Sequence, residues 1–495
     1  MSFWEYAIIV VYSMAIVFIF FFAVSEVALM LNYLSYHRTY NKKNEIDSRF
    51  FEKEYPLVTI QLPVYNELYV MKPLLENIGK MDYPKDKLEI QVLDDSTDET
   101  FELIANKVGA LQQDGFNIKH IHRVNRQGYK AGALSAGLAI CEGDYVAIFD
   151  ADFIPSQSFL MDSLIHFTQN KIGLVQTKWL HLNKNYNFLT RMQAFGLDAH
   201  FTVEQGGRNA AGHFINFNGT AGVWRKECIN DAGGWESDTL TEDLDLSYRA
   251  QLKGWEFKYL EGVGSPAELP AAMNALKTQQ YRWNKGAAEC AVKNLDKVIK
   301  SKDVSNSTKV YAIFHLMNSF VFVCILLTGL LSGPLMYIKS IYFEFGYLFQ
   351  LAAFFSLSFV FLAFFYWTST AMNYENKTKG FLKFIGSFPI FLSVYMGLSL
   401  HNALAVFEGY AGKKSPFVRT PKFNLIKNDG VWKNNKYISR KINPLTYVEL
   451  FLSLYFIAAI GIGVYLGDSG LMPFHLMLAF GFGVIAFFSV VHAKR

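Results

Sequence analysis

An α/β domain with a mostly parallel sheet, inserted between transmembrane α-helices, is what this 495-residue sequence predicts. Apolar runs near the length of a bilayer crossing lie at both ends. Between them, short strand-like apolar runs alternate with helix-like ones, the rhythm of a parallel sheet with helical crossovers. Two of those strand-like runs end in acid pairs, at the place where open α/β sheets bind ligands.

Composition agrees. The chain is 51% hydrophobic and 16% aromatic, high for a wholly soluble protein. A net charge of +4 gives no bulk electrostatic reason to expect a nucleic-acid partner. Cys141, Cys228, Cys290 and Cys324 are scattered, which argues against a disulfide framework and a structural zinc site. A main domain in the reducing cytosol fits.

The run Phe3 to Leu31 is interrupted only by polar residues such as Ser13, Ser25 and Glu26. It is longer than a signal-peptide core and has no clear small-residue cleavage site, so residues 1–33 are expected to be a retained anchor. The linker 34–56 carries His37, Arg38, Lys42, Lys43, Arg49 and Lys53, which assigns it and the following domain to the cytoplasmic side. Two further spans are expected within 306–372 (Ile313 to Ile338, Tyr347 to Ala371) and two within 447–495 (Tyr447 to Leu466, Met472 to Val491). The segment 381–407 contains Lys383, Pro389, His401 and Asn402. It leads into the basic loop 408–446, with Lys413, Lys414, Arg419, Lys422, Lys427, Lys433, Lys436, Arg440 and Lys441. A single crossing there would export this charge; an interfacial or re-entrant helix keeps the loop and Lys494-Arg495 cytoplasmic. The expectation is a multi-pass protein of a cell or inner membrane, in contact with lipid.

Within residues 57–305, strands are expected at Leu57 to Leu62, Glu89 to Leu93, from Asn117, at Tyr145 to Phe149 and at Ile172 to Val175. Helices are expected at Leu68 to Ile78, Asp98 to Leu111, Ala131 to Ile140 and Phe159 to Thr168. Ser96-Thr-Asp-Glu99 has the form of a capping box, so Asp94-Asp95 should close a strand. Asp150-Ala-Asp152 closes another. Hard oxygen ligands at this spacing suit Mg²⁺ or Mn²⁺ carrying a diphosphate, although an isolated Asp-x-Asp reads more readily as a solvated turn.

The ordered set Pro63-Val-Tyr-Asn-Glu67, Leu93-Asp-Asp-Ser-Thr-Asp98, Lys130-Ala-Gly-Ala-Leu134, Asp150-Ala-Asp152, Thr241-Glu-Asp243 and Gln279-Gln-Tyr-Arg-Trp283 resembles the family 2 glycosyltransferases. It is most similar to the cellulose synthase-like A and C glucomannan and glucan synthases. Phe217-Asn-Gly-Thr-Ala-Gly-Val-Trp224 and Gly233-Gly-Trp235 add to the match. The resemblance covers Leu57 to Trp283 well and the C-terminal part loosely. It implies a GT-A-type nucleotide-sugar-binding domain that transfers mannose or glucose, with inversion, from GDP-mannose or UDP-glucose to a growing β-linked polysaccharide. Export of the product would accompany transfer. A ceramide-glucosyltransferase-like enzyme with a lipid acceptor is the alternative, since it shares the Gln-x-x-Arg-Trp motif.

The resemblance also implies roles. Tyr65 and Glu67 would line the nucleotide pocket, with Asp94 and Asp95 at the base. Lys130, at a loop-to-helix junction, suits a phosphate. Asp152 would hold the metal and Asp150 would lie nearer the sugar or ribose. Asp243 would be the catalytic base with Glu242 beside it; a helix start there would favour its ionised form, although an acidic first turn is the plain alternative. Gln279, Arg282 and Trp283 share one helical face, where Arg282 can neutralise diphosphate and Trp283 can carry the acceptor sugar. Phe417-Val-Arg-Thr-Pro-Lys422 is similar to the cellulose synthase gating loop Phe-x-Val-Thr-x-Lys, with Arg419 in place of valine; Thr420 and Lys422 would reach diphosphate.

Overall fold

The computed structural model describes residues 1–40, 54–342, 354, 356–425, 435–438 and 441–494. Lys42, Lys43, Arg49, Lys53, Lys427, Lys433, Arg440 and Arg495 lie outside the described residues, as does much of the expected span from Tyr347.

Helix α1 (Phe3–Tyr40) leads into a domain that runs β1 (Val58–Val64), α2 (Met71–Ile78), β2 (Leu88–Asp94), α3 (Thr100–Gln113), β3 (Asn117–His122), α4 (Tyr129–Ala139) and β4 (Tyr145–Ile148). It continues through α5 (Phe159–Leu164), β5 (Ile172–His181), α6 (Phe188–Ala199), the π-helical turn His200–Glu204 and α7 (Gln205–Ala210). Then come β6 (Gly222–Arg225), α8 (Lys226–Asp231), α9 (Glu242–Leu252), β7 (Glu256–Ala267) and the long α10 (Met273–Lys300).

The sheet has seven strands in the order β3-β2-β1-β4-β6-β5-β7. All pairings are parallel except those of β6, which runs antiparallel to β4 and β5. The expected mostly parallel α/β sheet is therefore present. Strand β2 is buried along its whole length, as suits a strand covered on both faces. Because β1, β2 and β4 point the same way, their carboxyl ends gather at one edge, with Val64 opposite Asp94 and Asp94 opposite His122.

Two strands were not expected, and two local expectations are corrected. Strand β6 is only four residues long and β7 carries Glu256, Lys258 and Glu261, so neither presents the apolar run that marks a buried strand. The capping box does not form. Helix α3 starts at Thr100, whose N–H is capped by Asp98 Oδ1 at 3.0 Å, while Ser96 Oγ accepts from Asn66 N–H at 2.9 Å across the strand ends. The expected span from Ile313 is broken at residues 317–319, between α11 (Asn306–Leu316) and α12 (Phe320–Ile341).

The remaining helices are α13 (Leu357–Met372), α14 (Lys377–Gly397), α15 (Ser399–Tyr410), α16 (Leu445–Tyr465) and α17 (Met472–Lys494). Among the described residues, five helices are long and apolar enough to cross a membrane: Phe3–Arg38, Phe320–Ile341, Lys377–Gly397, Leu445–Tyr465 and Met472–Ala493. The segment 381–407 is two helices that break at Leu398 rather than one rod. Val394 and Leu398 pack with Leu189, Met273, Leu276 and Ile485, joining α14 to the domain and to α17. Helix α15 lies so close along α10 that a Cβ on Gly409 would sit 2.7 Å from the Lys285 carbonyl. Likewise Gly207 of α7 meets the backbone of Leu29 in α1. Membrane helices and domain form one packed body.

Candidate active site

The gathered strand ends open into a cavity of about 170 Å³. Tyr65 and Glu67 enter from the end of β1, Asp95 from β2, Asp150 and Asp152 from β4, and Lys130 from α4. Glu242 and Asp243 come from the start of α9, and Gln279, Arg282 and Trp283 from one face of α10. The loop after α15 covers it with Phe417, Arg419, Thr420 and Lys422.

Asp94 stands behind this wall rather than on it. It is fully buried, accepting from Ser96 N–H at 2.8 Å and lying 2.8 Å from His120 Nε2. Burial alone would raise its pKa, but these bonds outweigh it and hold the carboxyl below the usual range. Asp95 is the acid that reaches the cavity, clamped by Arg123 through Nε at 2.7 Å and Nη2 at 2.6 Å. Of the two acids expected at the nucleotide base, Asp95 lines the cavity and Asp94 does not.

Lys130 joins two walls. Its Nζ donates to Asp150 Oδ1 at 2.6 Å and to the Gly219 carbonyl at 2.9 Å, and lies 4.0 Å from Glu242. Gly219 has φ +80°, and a Cβ there would sit 2.9 Å from Asp243 Oδ2 and 3.3 Å from Lys130 Nζ. Only glycine lets the Phe217-Asn-Gly-Thr loop approach this closely. Asp243 sits in the first turn of α9, as expected, and its Oδ1 accepts from Leu244 N–H at 2.9 Å. The helix-start effect does not prevail, however. Burial first, and the Glu242 carboxylate second, push Asp243 up to about 7. Burial raises Glu242 as well, against the pull of Lys130.

The covering loop is pinned by charge. Lys422 Nζ donates to Asp152 Oδ2 at 2.6 Å, and Arg419 Nη1 lies 2.6 Å from Glu67. Arg282 Nη2 donates to Thr420 Oγ1 at 2.9 Å, and its guanidinium sits 4.5 Å from the Phe417 ring. Glu268, which nothing in the sequence marked, accepts from three successive backbone N–H groups of Phe423, Asn424 and Leu425 at 2.9, 2.7 and 3.3 Å. Arg126 stacks on Tyr65 at 3.4 Å and was also missed. Its signal was available: a cation one turn before Lys130 in a loop already read as phosphate-binding. Arg419, met in the sequence only as a departure from a motif, is the ion partner of Glu67.

A divalent cation fits this chemistry. The Asp150 and Asp152 carboxylates are hard oxygen donors on the cavity wall, paired with the Lys130 and Lys422 ammonium groups that a divalent cation would displace. The one close cluster of three acids among the described residues, Glu236, Asp238 and Asp245, lies elsewhere and is bridged by Lys293 Nζ at 2.5, 2.8 and 3.0 Å.

A mostly parallel α/β sheet thus gathers acids at adjoining strand ends, facing lysine and arginine across a covered cleft. The chain belongs to the family 2 glycosyltransferases: "Glycosyl transferase family 2" matches residues 59–229 and "Glycosyl transferase family group 2" residues 145–370. Among curated relatives, probable glucomannan 4-beta-mannosyltransferase 2 of Oryza sativa subsp. japonica is 44% identical over 277 residues, 54% of this chain and 47% of that protein. Glucomannan 4-beta-mannosyltransferase 9 of Arabidopsis thaliana is 40% identical over 295 residues, 57% of this chain and 55% of that protein. The chain spans about half the length of the curated relatives it matches. The mannosyltransferase PcManGT from Pyrobaculum calidifontis, in complex with GDP-Man and Mn²⁺, shares the fold. Its TM-score is 0.54 at 18% identity, over 82% of this chain and all of that one.

Proposed function

We propose that this protein is a membrane-embedded, inverting hexosyltransferase that moves mannose or glucose from a nucleoside diphosphate sugar onto a growing β-linked polysaccharide. The observation that carries this is the placement of Asp243. It sits half-buried beside Glu242 and across Gly219 from Lys130, in the same cavity as Asp150, Asp152 and the Gln279–Trp283 face.

Transfer needs a base for the acceptor hydroxyl, charge neutralisation for the leaving diphosphate, and exclusion of water. Asp243 takes the hydroxyl proton, the freed oxygen bonds the anomeric carbon, and the sugar–phosphate bond breaks, releasing a nucleoside diphosphate. One base without a nucleophilic carboxylate gives inversion. A pKa near 7 is what a base working near neutral pH requires. Lys130, Arg282, Lys422 and Thr420 neutralise and bind the diphosphate as the loop exchanges its ion pairs for substrate. Tyr65, Arg126 and Asp95 line the nucleotide end, Glu67 steadies Arg419, and Trp283 offers a ring to the acceptor, with Gln279 beside it. Asp152 would hold Mg²⁺ or Mn²⁺, which supplies Lewis-acid stabilisation of the diphosphate.

The domain faces the cytoplasm, and the basic loop after α15 reaches over the cleft from the same side. GDP-mannose is the first donor to test, because the relatives above are named as mannosyltransferases; UDP-glucose is the second. Membranes containing the chain are incubated with each labelled donor, and the product is separated into polymer and lipid extract. Polymeric label is expected, lost in Asp243→Asn. Label confined to a single-sugar glycolipid would instead favour a lipid acceptor, and undiminished turnover in Asp243→Asn would remove the base assignment.

A further inference from the structure

The first turns of α10 are held by the C-terminal membrane helices, just ahead of the residues that enter the cavity. The helix begins without a side-chain cap of its own at Ala272, and the N–H of Met273 donates instead to His492 Nδ1 of α17 at 3.1 Å. One turn later, Lys277 Nζ donates to Glu449 Oε2 of α16 at 2.7 Å and to Ser489 Oγ of α17 at 2.9 Å. His401 Nε2 of α15 donates to the Lys277 carbonyl at 2.9 Å. The ion pair is buried on both sides, with the Lys277 side chain 6% exposed and that of Glu449 0%. Gln279 follows by two residues and Trp283 by six, about 9 Å along the helix axis.

We propose that Lys277 and Glu449 are positioning residues that set the register of α10 against the membrane helices, and through it the placement of Arg282 and Trp283. The idea rests on the function proposed above. The apolar contacts at this end of α10, Met273 and Leu276 against Val394, Leu398 and Ile485, set register less strictly than a charge does. Lys277 and Glu449 have one charge partner each, and displacement would leave both ions buried and unpaired. Glu449 sharpens this, because its Oε1 has no hydrogen-bond partner among the described residues, so the carboxylate is held through Lys277. An ion pair of this kind is weak evidence for stability and better suited to specifying one arrangement.

The test uses the full chain in detergent, comparing the parent with Lys277→Met, Glu449→Leu and the double variant. Readouts are melting temperature, hydrogen exchange of the α10 amides 278–284, and transfer from GDP-mannose or UDP-glucose to β-1,4-linked mannohexaose. The single variants leave one ion unpaired and are expected to melt early. In the double variant the melting temperature should return to within about 2 °C of the parent. Its α10 amides should still exchange faster, and its acceptor KM should stay raised about tenfold, while donor KM is little changed. Parent-like exchange and acceptor KM in the double variant would overturn the proposal, because the pair would then only hold the fold together. If no donor is turned over by the parent, the proposed function fails by that result, and the exchange rates still decide the register.

Discussion

Replacing Asp243 with Asn should abolish transfer and stabilise the fold in the same step. The side chain is half-buried among protein atoms, and its carboxyl is pushed from 3.8 up to about 7 by loss of hydration and by Glu242. A group whose pKa is higher in the folded state binds its proton more tightly there, so its ionisation opposes folding as pH rises between the two values. A shift of about three units corresponds to roughly 4 kcal/mol at pH 8, falling to roughly 2 kcal/mol at pH 5. Asn keeps the shape without the charge. The pull of Lys130 and of the Leu244 N–H is already contained in that net shift. A stabilisation of up to roughly 4 kcal/mol at pH 8, shrinking toward pH 5, is therefore expected. The assay is thermal melting of both proteins across pH 5–8, alongside donor turnover. The parent's turnover should rise as pH passes through about 7, because only the ionised base accepts a proton; Glu242 titrates with it, so the midpoint belongs to the pair. An Asn variant that melts below the parent at pH 8, or that retains turnover, would refute the reasoning.

Three further outcomes follow from the same geometry. Chelation with EDTA should stop transfer and added Mn²⁺ or Mg²⁺ should restore it, whereas Asp152→Asn should need a higher metal concentration, read by titrating the ion. Glu268→Ala removes the acceptor of three loop N–H groups, a loss of roughly 2–3 kcal/mol for bonds to a buried carboxylate; limited proteolysis should then cut near residues 417–425 faster than in the parent. Gly481→Ala would bring a Cβ within 1.9 Å of the Ser393 carbonyl at the α14–α17 crossing. A detergent melt should show destabilisation of about 1–3 kcal/mol, whereas Gly461→Ala, with open space around it, should leave the melt unchanged.

Much of this molecule is written locally. Strand and helix rhythm follows from periodicity within a few residues, so β1 to β5 and the helices between them are legible within one to a few residues, apart from the extended end of β5. β6 and β7 were hidden because short or polar strands carry no periodic signal of their own. Motif order supplied the residues that line the cavity, and the apolar length of the terminal segments supplied the membrane helices. What the chain order cannot express is which charge meets which. Lys422 and Asp152 are 270 residues apart and Lys277 and Glu449 are 172 apart, and no local pattern joins them. Asp94 and Asp95 are adjacent and chemically alike, yet the pleat of β2 turns one into the interior and leaves the other on the cavity. The acidity of Asp243 was misjudged for the same reason. A helix start is a local feature that favours the carboxylate, but burial is a property of the whole fold, and in this site burial is the larger effect.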